Sequence, residues 1–201
     1  MAAPKAHYPA VHLVTRAEWR QWLAANHASA GGVWLVCAKK ESGGARVEYN
    51  DAVEEAICFG WTDGRPMPLD EERYQQFFSP RRVGSAWSKA NKERAVRLIG
   101  AGLMAPAGLA RIEAAKADGS WQSLDAVEAL ALPAELAAGF DADPAALRFF
   151  DSIARSIRKD ILWWLTSSKR PQTRAKRIAD TLRCCTERRI VPHSRPARGS
   201  G

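Results

Sequence analysis

The chain has 201 residues, 46% of them hydrophobic and 26% charged, which is typical of a globular protein with a buried core. This composition excludes collagen-like, low-complexity and wholly disordered chains, and the sequence holds no run of about 18 apolar residues that would span a membrane. The net charge is +8 and is uneven, because residues 151–201 carry +9 while residues 1–150 carry −1.

The predicted elements of the N-terminal half alternate between helices and short strands. The first helix begins with a capping box, in which Thr15 and Glu18 satisfy each other's backbone amides. In chain order, the elements are a helix over 15–28, a strand over 33–38, a helix from Asn50 or Asp51 to residue 59, a strand beginning within 60–64 and a strand over 73–79. Residues 65–72 hold two prolines and three acidic residues and are predicted to form a loop.

After Ser88 the pattern is helical almost to the end of the chain, and proline marks the first position of several helices. The predicted helix starts are residue 89, Pro106, Ser123, Pro133, Asp143–Pro144, Asp151 or Ser152, and Pro171. We therefore predict an α+β fold, with a small antiparallel sheet of about three strands in the N-terminal half packed against a predominantly helical C-terminal half.

Residues 15–189 are predicted to form a single domain, with an αβαββ arrangement to about residue 80 and helices after it. The acidic stretch 131–143 is the best candidate for a soft boundary within this domain. Residues 1–14 are predicted to be a flexible N-terminus and residues 190–201 a disordered basic tail.

The sequence contains no motif that commits it to catalysis. A G-x-S-x-G elbow, a P-loop, G-x-G-x-x-G and H-E-x-x-H are absent, and no histidine lies between residues 28 and 192. The four cysteines form no C-x-x-C pair, which favours a reducing compartment. Cys37 and Cys58 have apolar neighbours and are predicted to be buried, whereas the adjacent Cys184 and Cys185 lie about 100° apart on a helix, so we expect one of them to be exposed. We predict a protein that is not an enzyme and holds no cofactor or metal. The enzymatic alternative is an unrecognised site centred on Asp63, whose other interpretation is a turn cap.

The N-terminal residues show no continuous apolar segment of the kind found in secretory leaders. We therefore expect a cytoplasmic protein. No transmembrane segment is expected, and the sequence indicates no particular protein partner.

Basic residues crowd the starts of two predicted helices, where acidic side chains are favoured. At the last helix these residues are Lys169, Arg170 and Arg174, and at the helix from residue 89 they include Arg81 and Lys92. Each such charge costs roughly 0.3–1 kcal/mol against the helix dipole. A bound oxyanion or phosphate would compensate this cost. The alternative is that acidic residues of the middle of the chain supply the countercharge.

Several separated motifs lie in these same segments. They are Gly60-Trp61-Thr62-Asp63-Gly64, Phe78-Ser79-Pro80-Arg81-Arg82, Ser85-x-Trp87-Ser88-x-x-Asn91-Lys92, Gly102-x-Met104 with Gly108, Gly119-x-Trp121, and Ser168-Lys169-Arg170-Pro171-x-Thr173-Arg174-x-x-Arg177-Ile178. Together they resemble the YdeI/OmpD-associated, or bacteriocin-protection, family over roughly residues 15–187. The resemblance implies a role in bacterial stress and in resistance to antimicrobial peptides or bacteriocins, and it implies no reaction, cofactor or catalytic residue.

The recurring residues of the family fall on ten positions of this chain, which include the basic helix starts. They are Trp61, Asp63, Arg81, Trp87, Asn91, Lys92, Lys169, Arg170, Thr173 and Arg174. We predict that they form one anion-accepting pocket for a small anion or a phosphate-bearing ligand. In it, Arg81, Arg170 and Arg174 would contact the anion, Thr173 would orient it and Trp87 would form a wall. The alternative is a buried polar network that holds the two halves together.

The alternative function is a nucleic-acid-binding module that uses the basic C-terminal helix. Its phosphate contacts would be Arg174, Lys176, Arg177, Arg183, Arg188 and Arg189. No named nucleic-acid motif is present, and Arg183 departs from the face that Arg174, Arg177 and Arg188 share.

Overall fold

A computed structural model describes residues 8–192 of the chain. These residues divide into two units, one ending at Ser123 and one beginning at Leu124, and each unit has its own buried core. The division falls before the acidic stretch in which the sequence analysis places a soft boundary. The single domain over residues 15–189 therefore stays a prediction.

Unit 1 combines a sheet with helices, and unit 2 is helical, which confirms the predicted α+β fold. The elements of unit 1 are β1 (Ala10–His12), α1 (Arg16–Asn26), β2 (Val33–Ala38), α2 (Tyr49–Cys58), β3 (Trp61–Pro68), β4 (Arg73–Pro80), α3 (Lys89–Gly100) and α4 (Pro106–Ala117). Those of unit 2 are α5 (Asp125–Glu128), α6 (Ala134–Ala142), α7 (Pro144–Ser152), α8 (Arg155–Thr166) and α9 (Pro171–Thr186).

The sheet has the strand order β1-β2-β4-β3. β2, β4 and β3 are antiparallel, and their register places Leu35 opposite Gln76 and Asp63 opposite Phe78. β1 runs parallel to β2, with Val11 opposite Leu35. The sheet is therefore mixed rather than antiparallel, and within residues 8–192 it has one strand more than predicted.

The additional strand corrects the prediction that residues 1–14 form a flexible N-terminus. β1 pairs with β2 over three residues, and the Trp34 amide also donates to the Pro9 carbonyl at 2.9 Å. Three residues are too few to show a hydrophobic period, and the parallel partner lies beyond α1 in the chain, so the sequence pattern does not reveal the pairing. Residues 1–7 of the predicted segment lie outside the described residues.

β3 extends through most of the predicted loop 65–72. Pro66 and Pro68 pair with β4 although neither has an amide proton to donate. β3 lies at the edge of the sheet, where proline is tolerated because one row of amides has no ladder partner. The register shifts between Asp63 and Pro66, and only residues 69–72 connect the two strands.

The core of unit 1 begins with α1. The predicted capping box is confirmed, because the Glu18 amide donates to Thr15 Oγ1 while the Glu18 carboxylate accepts from the Thr15 amide. The fully buried Trp19 ring lies 5.1 Å from the Phe78 ring of β4, and its Nε1–H donates to the Ala52 carbonyl of α2 at 3.0 Å. These contacts fix α1, α2 and the sheet as one packed core.

Helix starts were predicted correctly at the Thr15 cap and where proline occupies the first turn, but two of the predicted polar caps were wrong. Pro106, Pro144 and Pro171 begin α4, α7 and α9 as predicted. The predicted caps at 50 or 51 lie inside α2, which begins at Tyr49, and those at 151 or 152 end α7, since α8 begins at Arg155. A proline fixes the local backbone, whereas a polar side chain caps only if the neighbouring contacts allow it.

Unit 2 is organised around α9, which packs against α6, α7 and α8. Cys184 and Cys185 are both buried, although the sequence pattern suggested that one of them is exposed. Packing on several sides gives α9 a buried face wide enough for adjacent residues. Val191 is also buried in this core, so the predicted disordered tail 190–201 is wrong at its start. Residues 193–201 lie outside the described residues.

Candidate functional site

Arg81 is a buried arginine at the point where β4 ends. Its amide donates to the Gly60 carbonyl at 3.0 Å, which turns the chain away from the sheet. The side chain is only 5% exposed, and its guanidinium lies 3.9 Å from the centroid of the Trp87 ring. It donates to the Ala86 carbonyl at 3.1 Å and to Thr62 Oγ1 at 3.4 Å. The guanidinium is thus held in a fixed orientation against an indole face.

The charge of Arg81 has no direct partner in unit 1. Among the described residues, no carboxylate lies within 4.0 Å of its guanidinium. Burial lowers the pKa of Arg81 to about 10, and the more distant Asp63 carboxylate opposes that shift. Asp63 itself accepts a 2.7 Å hydrogen bond from the Tyr49 hydroxyl. Arg81 therefore stays charged at neutral pH in a place that disfavours an unpaired charge.

Arg81 and Trp87 both face a small cavity and each leaves one buried N–H without an acceptor. Among the described residues, the unpaired atoms are Arg81 Nε and Trp87 Nε1, and the buried Ser120 lines the same cavity. The cavity holds about 10 Å³, the space of roughly one water-sized atom. Buried polar groups are normally paired, so unpaired donors on side chains that line one small space indicate a bound water or ion.

The loop between β4 and α3 closes the other side of this cavity. Gly84 has a φ of +74° and lines the cavity, and its amide donates to Asp118 Oδ2 at 3.0 Å. Arg111 of α4 also lines the cavity, and its side chain makes no hydrogen bond or ion pair within residues 8–192. Three arginines, Arg81, Arg82 and Arg111, and one carboxylate residue, Asp118, therefore line a space large enough for one acceptor atom.

A larger groove lies next to the cavity and shares Arg111 with it. The groove has a volume of about 400 Å³. Its lining residues are His27, Ala28, Ala30, Phe59, Gly60, Trp61, Pro80, Ala107, Ala110 and Arg111. The Trp61 ring forms part of its wall, and the Trp61 Nε1–H donates to the His27 carbonyl at 3.1 Å. The walls combine polar and apolar surface in similar amounts, and Arg111 contributes a cationic group.

The remaining predicted site residues of unit 1 have other roles. Asn91 accepts from Arg94 at 2.9 Å, and its amide donates to the Ser88 hydroxyl that caps α3. The Lys92 ammonium lies 5.8 Å from the centroid of the Trp121 ring. Trp121 in turn packs 4.9 Å from Trp87. Asn91 and Lys92 thus support α3 and the aromatic pair, while Arg81 and Trp87 share the cavity.

The four predicted site residues of unit 2 lie at the start of α9. Lys169 and Arg170 are exposed, and Arg170 is the N-cap residue without a side-chain cap. Arg174 binds both carboxylate oxygens of Glu135, at 3.3 and 3.2 Å, and Thr173 is half-buried. The alternative in which the acidic middle of the chain supplies the countercharge therefore holds for Arg174. One pocket shared with Arg81 stays a prediction.

Most of the basic residues suggested for nucleic-acid binding are engaged within unit 2. Arg177 donates to the Trp164 carbonyl, and its guanidinium lies 4.7 Å from the centroid of the Trp164 ring. Arg183 pairs with Asp180 at 2.8 Å, and Arg189 pairs with Glu187. These contacts leave few cations of α9 available to a phosphate backbone, and they give the nucleic-acid alternative no support.

Between residues 8 and 192, no group of three or more His, Cys, Asp or Glu side chains is arranged to hold a metal ion. Over the same range, no helix is both long enough and apolar enough to cross a membrane.

Sequence reasoning missed Arg111 and Ser120. Arg111 is one of only two basic residues in the stretch 101–147, which contains seven acidic ones, and that contrast was the available signal. Nothing near Ser120 in the sequence indicates that its hydroxyl turns inward. Both residues line the cavity because α4 packs beside it, and local sequence patterns do not predict how a helix packs.

Comparison with known families assigns the two parts of the chain separately. A model described as a domain of unknown function, DUF8412, matches residues 11–111, half of the chain. A model described as "Bacteriocin-protection, YdeI or OmpD-Associated" matches residues 129–188. The family resemblance is thus confirmed, over a shorter range than the expected 15–187, and the motifs around Trp61, Arg81 and Trp87 fall within the first model.

Comparisons with curated proteins and with solved structures find no match. The chain therefore belongs to the DUF8412 family through residues 11–111, and residues 129–188 are similar to the bacteriocin-protection, YdeI or OmpD-associated family.

Proposed function

We propose that this protein has the bacteriocin-protection role of the family that residues 129–188 resemble, that it acts by binding rather than by catalysis, and that unit 1 binds a small anion at Arg81 and Trp87. The observation that carries the proposal is that Arg81 and Trp87 line one cavity and that each has a buried N–H group, Arg81 Nε and Trp87 Nε1, without an acceptor among the described residues. An acceptor atom in that cavity would receive both hydrogen bonds at once.

Charge favours an anion over a water molecule as the occupant. A water would accept the two hydrogen bonds but would leave the buried Arg81 charge unbalanced. A chloride ion, or one oxygen of a phosphate or carboxylate, would accept the same bonds and also pair with the charge, and such charge-assisted bonds are roughly twice as strong as neutral ones. Arg111, which lines the cavity and has no partner among the described residues, would add a second cation.

The anion site is tested by ligand-dependent stability. Thermal unfolding is measured in chloride and in inorganic phosphate for the wild type, Arg81→Met and Trp87→Phe. The control is Arg65→Met, because Arg65 is an exposed arginine of β3 outside the cavity. A bound anion stabilises by about 2.7 kcal/mol at a concentration 100 times its Kd.

We expect the wild type and Arg65→Met to gain stability with a saturating dependence on anion concentration. Arg81→Met should show only the unsaturating rise that phosphate causes in any protein. Equal responses of the wild type and Arg81→Met would overturn the proposal and leave a water in the cavity. The double variant Arg170→Ala/Arg174→Ala tests the prediction that these two residues belong to the same anion-accepting pocket as Arg81. That prediction requires the double variant to bind the anion more weakly than the wild type.

The protective role and its link to the site need a test in cells. A strain that lacks the protein is exposed to a bacteriocin and complemented with the wild type, Arg81→Met or Arg65→Met at equal protein levels. The proposal requires rescue by the wild type and by Arg65→Met but not by Arg81→Met. Fractionation of the same cells tests the expected cytoplasmic location.

A further inference from the structure

Arg111 is the structural link between the small cavity and the larger groove of unit 1. Arg111 lines both spaces, and its side chain makes no hydrogen bond or ion pair with any residue described between 8 and 192. Pro80 lines the groove and the next residue, Arg81, lines the cavity. A single ligand bound at the cavity would therefore have the groove next to it.

The fold requires a glycine to bring Arg111 to this position. A Cβ at Gly60 would lie 2.7 Å from Arg111 Cγ and 2.9 Å from the Ala107 carbonyl oxygen, and Gly60 has a φ of +74°. The stem of Arg111 thus passes directly over the turn between α2 and β3. This close approach keeps the guanidinium at the edge of the groove.

The groove has the size of a small-molecule site. Its volume of about 400 Å³ lies within the range of roughly 300–1,000 Å³ that is typical of such sites. Phe59, Trp61 and Pro80 give it apolar and aromatic walls, and Ala107 and Ala110 leave it open on the side of α4. A cationic peptide would meet the guanidinium groups of Arg81 and Arg111, so the site disfavours such a ligand.

We infer that the ligand of unit 1 is a small amphiphile, with an anionic group at Arg81 and Trp87 and an aryl or short alkyl body in the groove beside Arg111. This inference rests on the proposed anion site and adds the class of molecule that the site selects. Apolar burial supplies the additional affinity, because each buried CH₂ contributes about 0.8 kcal/mol.

Isothermal titration calorimetry with three probes tests the inference. The probes are inorganic phosphate, phenyl phosphate and the uncharged benzyl alcohol, each titrated into the full-length chain. Ala110→Phe fills the groove from α4. Ala117→Phe is the matched control, because Ala117 is an exposed residue of the same helix that lines neither space.

We expect phenyl phosphate to bind the wild type and Ala117→Phe at least about tenfold more tightly than inorganic phosphate does. In Ala110→Phe this advantage should disappear while the affinity for inorganic phosphate is unchanged. Arg111→Met should weaken both phosphates, and benzyl alcohol should bind weakly throughout. Circular dichroism confirms that each variant is folded.

The outcomes separate this inference from the proposed function. Equal affinity of the wild type for inorganic and phenyl phosphate would keep the anion site and overturn the amphiphile. Phenyl phosphate binding that survives Arg81→Met and is matched by benzyl alcohol would also overturn it, because the groove would then be an independent apolar site. Absence of any phosphate binding would overturn the anion site itself.

Discussion

The guanidinium of Arg81 lies 3.9 Å from the centroid of the Trp87 ring, and each of the two side chains keeps one buried N–H without a hydrogen-bond acceptor. The stacking itself is favourable, since a desolvated cation over an indole gains about 2 kcal/mol. The unpaired charge and the two unsatisfied donors act in the opposite direction. This combination is typical of a site that is kept for binding at some cost to stability.

Arg81→Met should leave the free energy of unfolding within about 1 kcal/mol of the wild type in anion-free buffer. Methionine keeps an apolar stem and a sulfur–aromatic contact with Trp87 while it removes the buried charge. The Ala86 carbonyl that loses a donor belongs to an exposed residue and can bind water. Urea denaturation at pH 7 measures the difference.

Trp87→Ala is the comparison, and it should cost about 3–5 kcal/mol as a large-to-small core substitution. If Arg81→Met also loses more than about 2 kcal/mol, the Arg81–Trp87 pair is a structural polar network. That result would favour the alternative from the sequence analysis, in which the motif residues form a buried polar network, over the anion site.

Gly108→Ala should destabilise unit 1 by about 1–3 kcal/mol, because the new methyl overpacks a backbone contact. Its Cβ would lie 2.3 Å from the Cys58 carbonyl oxygen and 2.5 Å from Met104 Sδ. The sulfur can move, but the carbonyl belongs to the end of α2 and cannot. Gly100→Ala is the control, since a Cβ there has no neighbour within 4 Å, and it should be neutral or stabilising by up to about 1 kcal/mol. A neutral Gly108→Ala would show that α4 does not pack on α2 this closely.

The features predicted correctly from the sequence depend on residues close together in the chain. The capping box of Thr15 and Glu18 and the proline at the start of α9 are examples, because each is decided within one helical turn. β1 escaped prediction because its three residues are fixed by a partner strand beyond α1. The predicted β3 was too short, because prolines are tolerated in a strand only at a sheet edge and the sequence pattern does not show which strand lies at the edge.

In the candidate site, too, the residues marked by local patterns were predicted and those positioned by distant contacts were not. Arg81 and Trp87 were predicted as site residues because they lie in a basic segment whose motifs resemble a known family. Arg111 comes from a different helix, and it reaches the cavity only because Gly60 allows a close approach. The pairing of Arg174 with Glu135 was foreseen only as an alternative, since the charge pattern gives the sign of a partner but not its identity.

Glu55→Gln should lower the free energy of unfolding by about 2 kcal/mol. The carboxylate is 3% exposed and accepts 2.6 Å hydrogen bonds from Arg16 and Arg20, which are about one third exposed. Removing one partner of a fully buried pair costs about 3–5 kcal/mol, and solvent around the two arginines reduces that figure. Urea denaturation of Glu55→Gln and of the control Glu113→Gln measures the effect.

Glu113 pairs with Lys116 on the exposed surface of α4, so Glu113→Gln should change stability by less than about 0.5 kcal/mol. Equal losses of stability in the two variants would mean that solvent screens the ion pairs of Glu55 with Arg16 and Arg20 as fully as it screens the surface pair of Glu113 with Lys116.

Asp143→Asn should make unit 2 less sensitive to acid. The Asp143 carboxylate accepts from the Thr186 hydroxyl at 2.7 Å and from the amides of Ala145 and Ala146, and these hydrogen bonds lower its pKa. Because the folded-state pKa lies below the ordinary value of 3.8, the charged group stabilises the fold above that pH. That contribution is lost as the pH falls through the lowered value. Asparagine keeps the cap and does not titrate, so its stability should fall less between pH 5 and pH 3.

The buried cysteines give each unit its own readout of this prediction. Cys184 and Cys185 lie in unit 2 and Cys37 and Cys58 in unit 1, and all four thiols are buried. Labelling with a disulfide reagent that reacts in acid, followed by peptide mass spectrometry, reports how often each pair becomes exposed. From pH 5 to pH 3, exposure of Cys184 and Cys185 should rise less in Asp143→Asn than in the wild type, while exposure of Cys37 and Cys58 should change equally in both proteins. An equal rise at Cys184 and Cys185 in the two proteins would show that other carboxylates, such as Glu135 and Glu187, carry the acid sensitivity of unit 2.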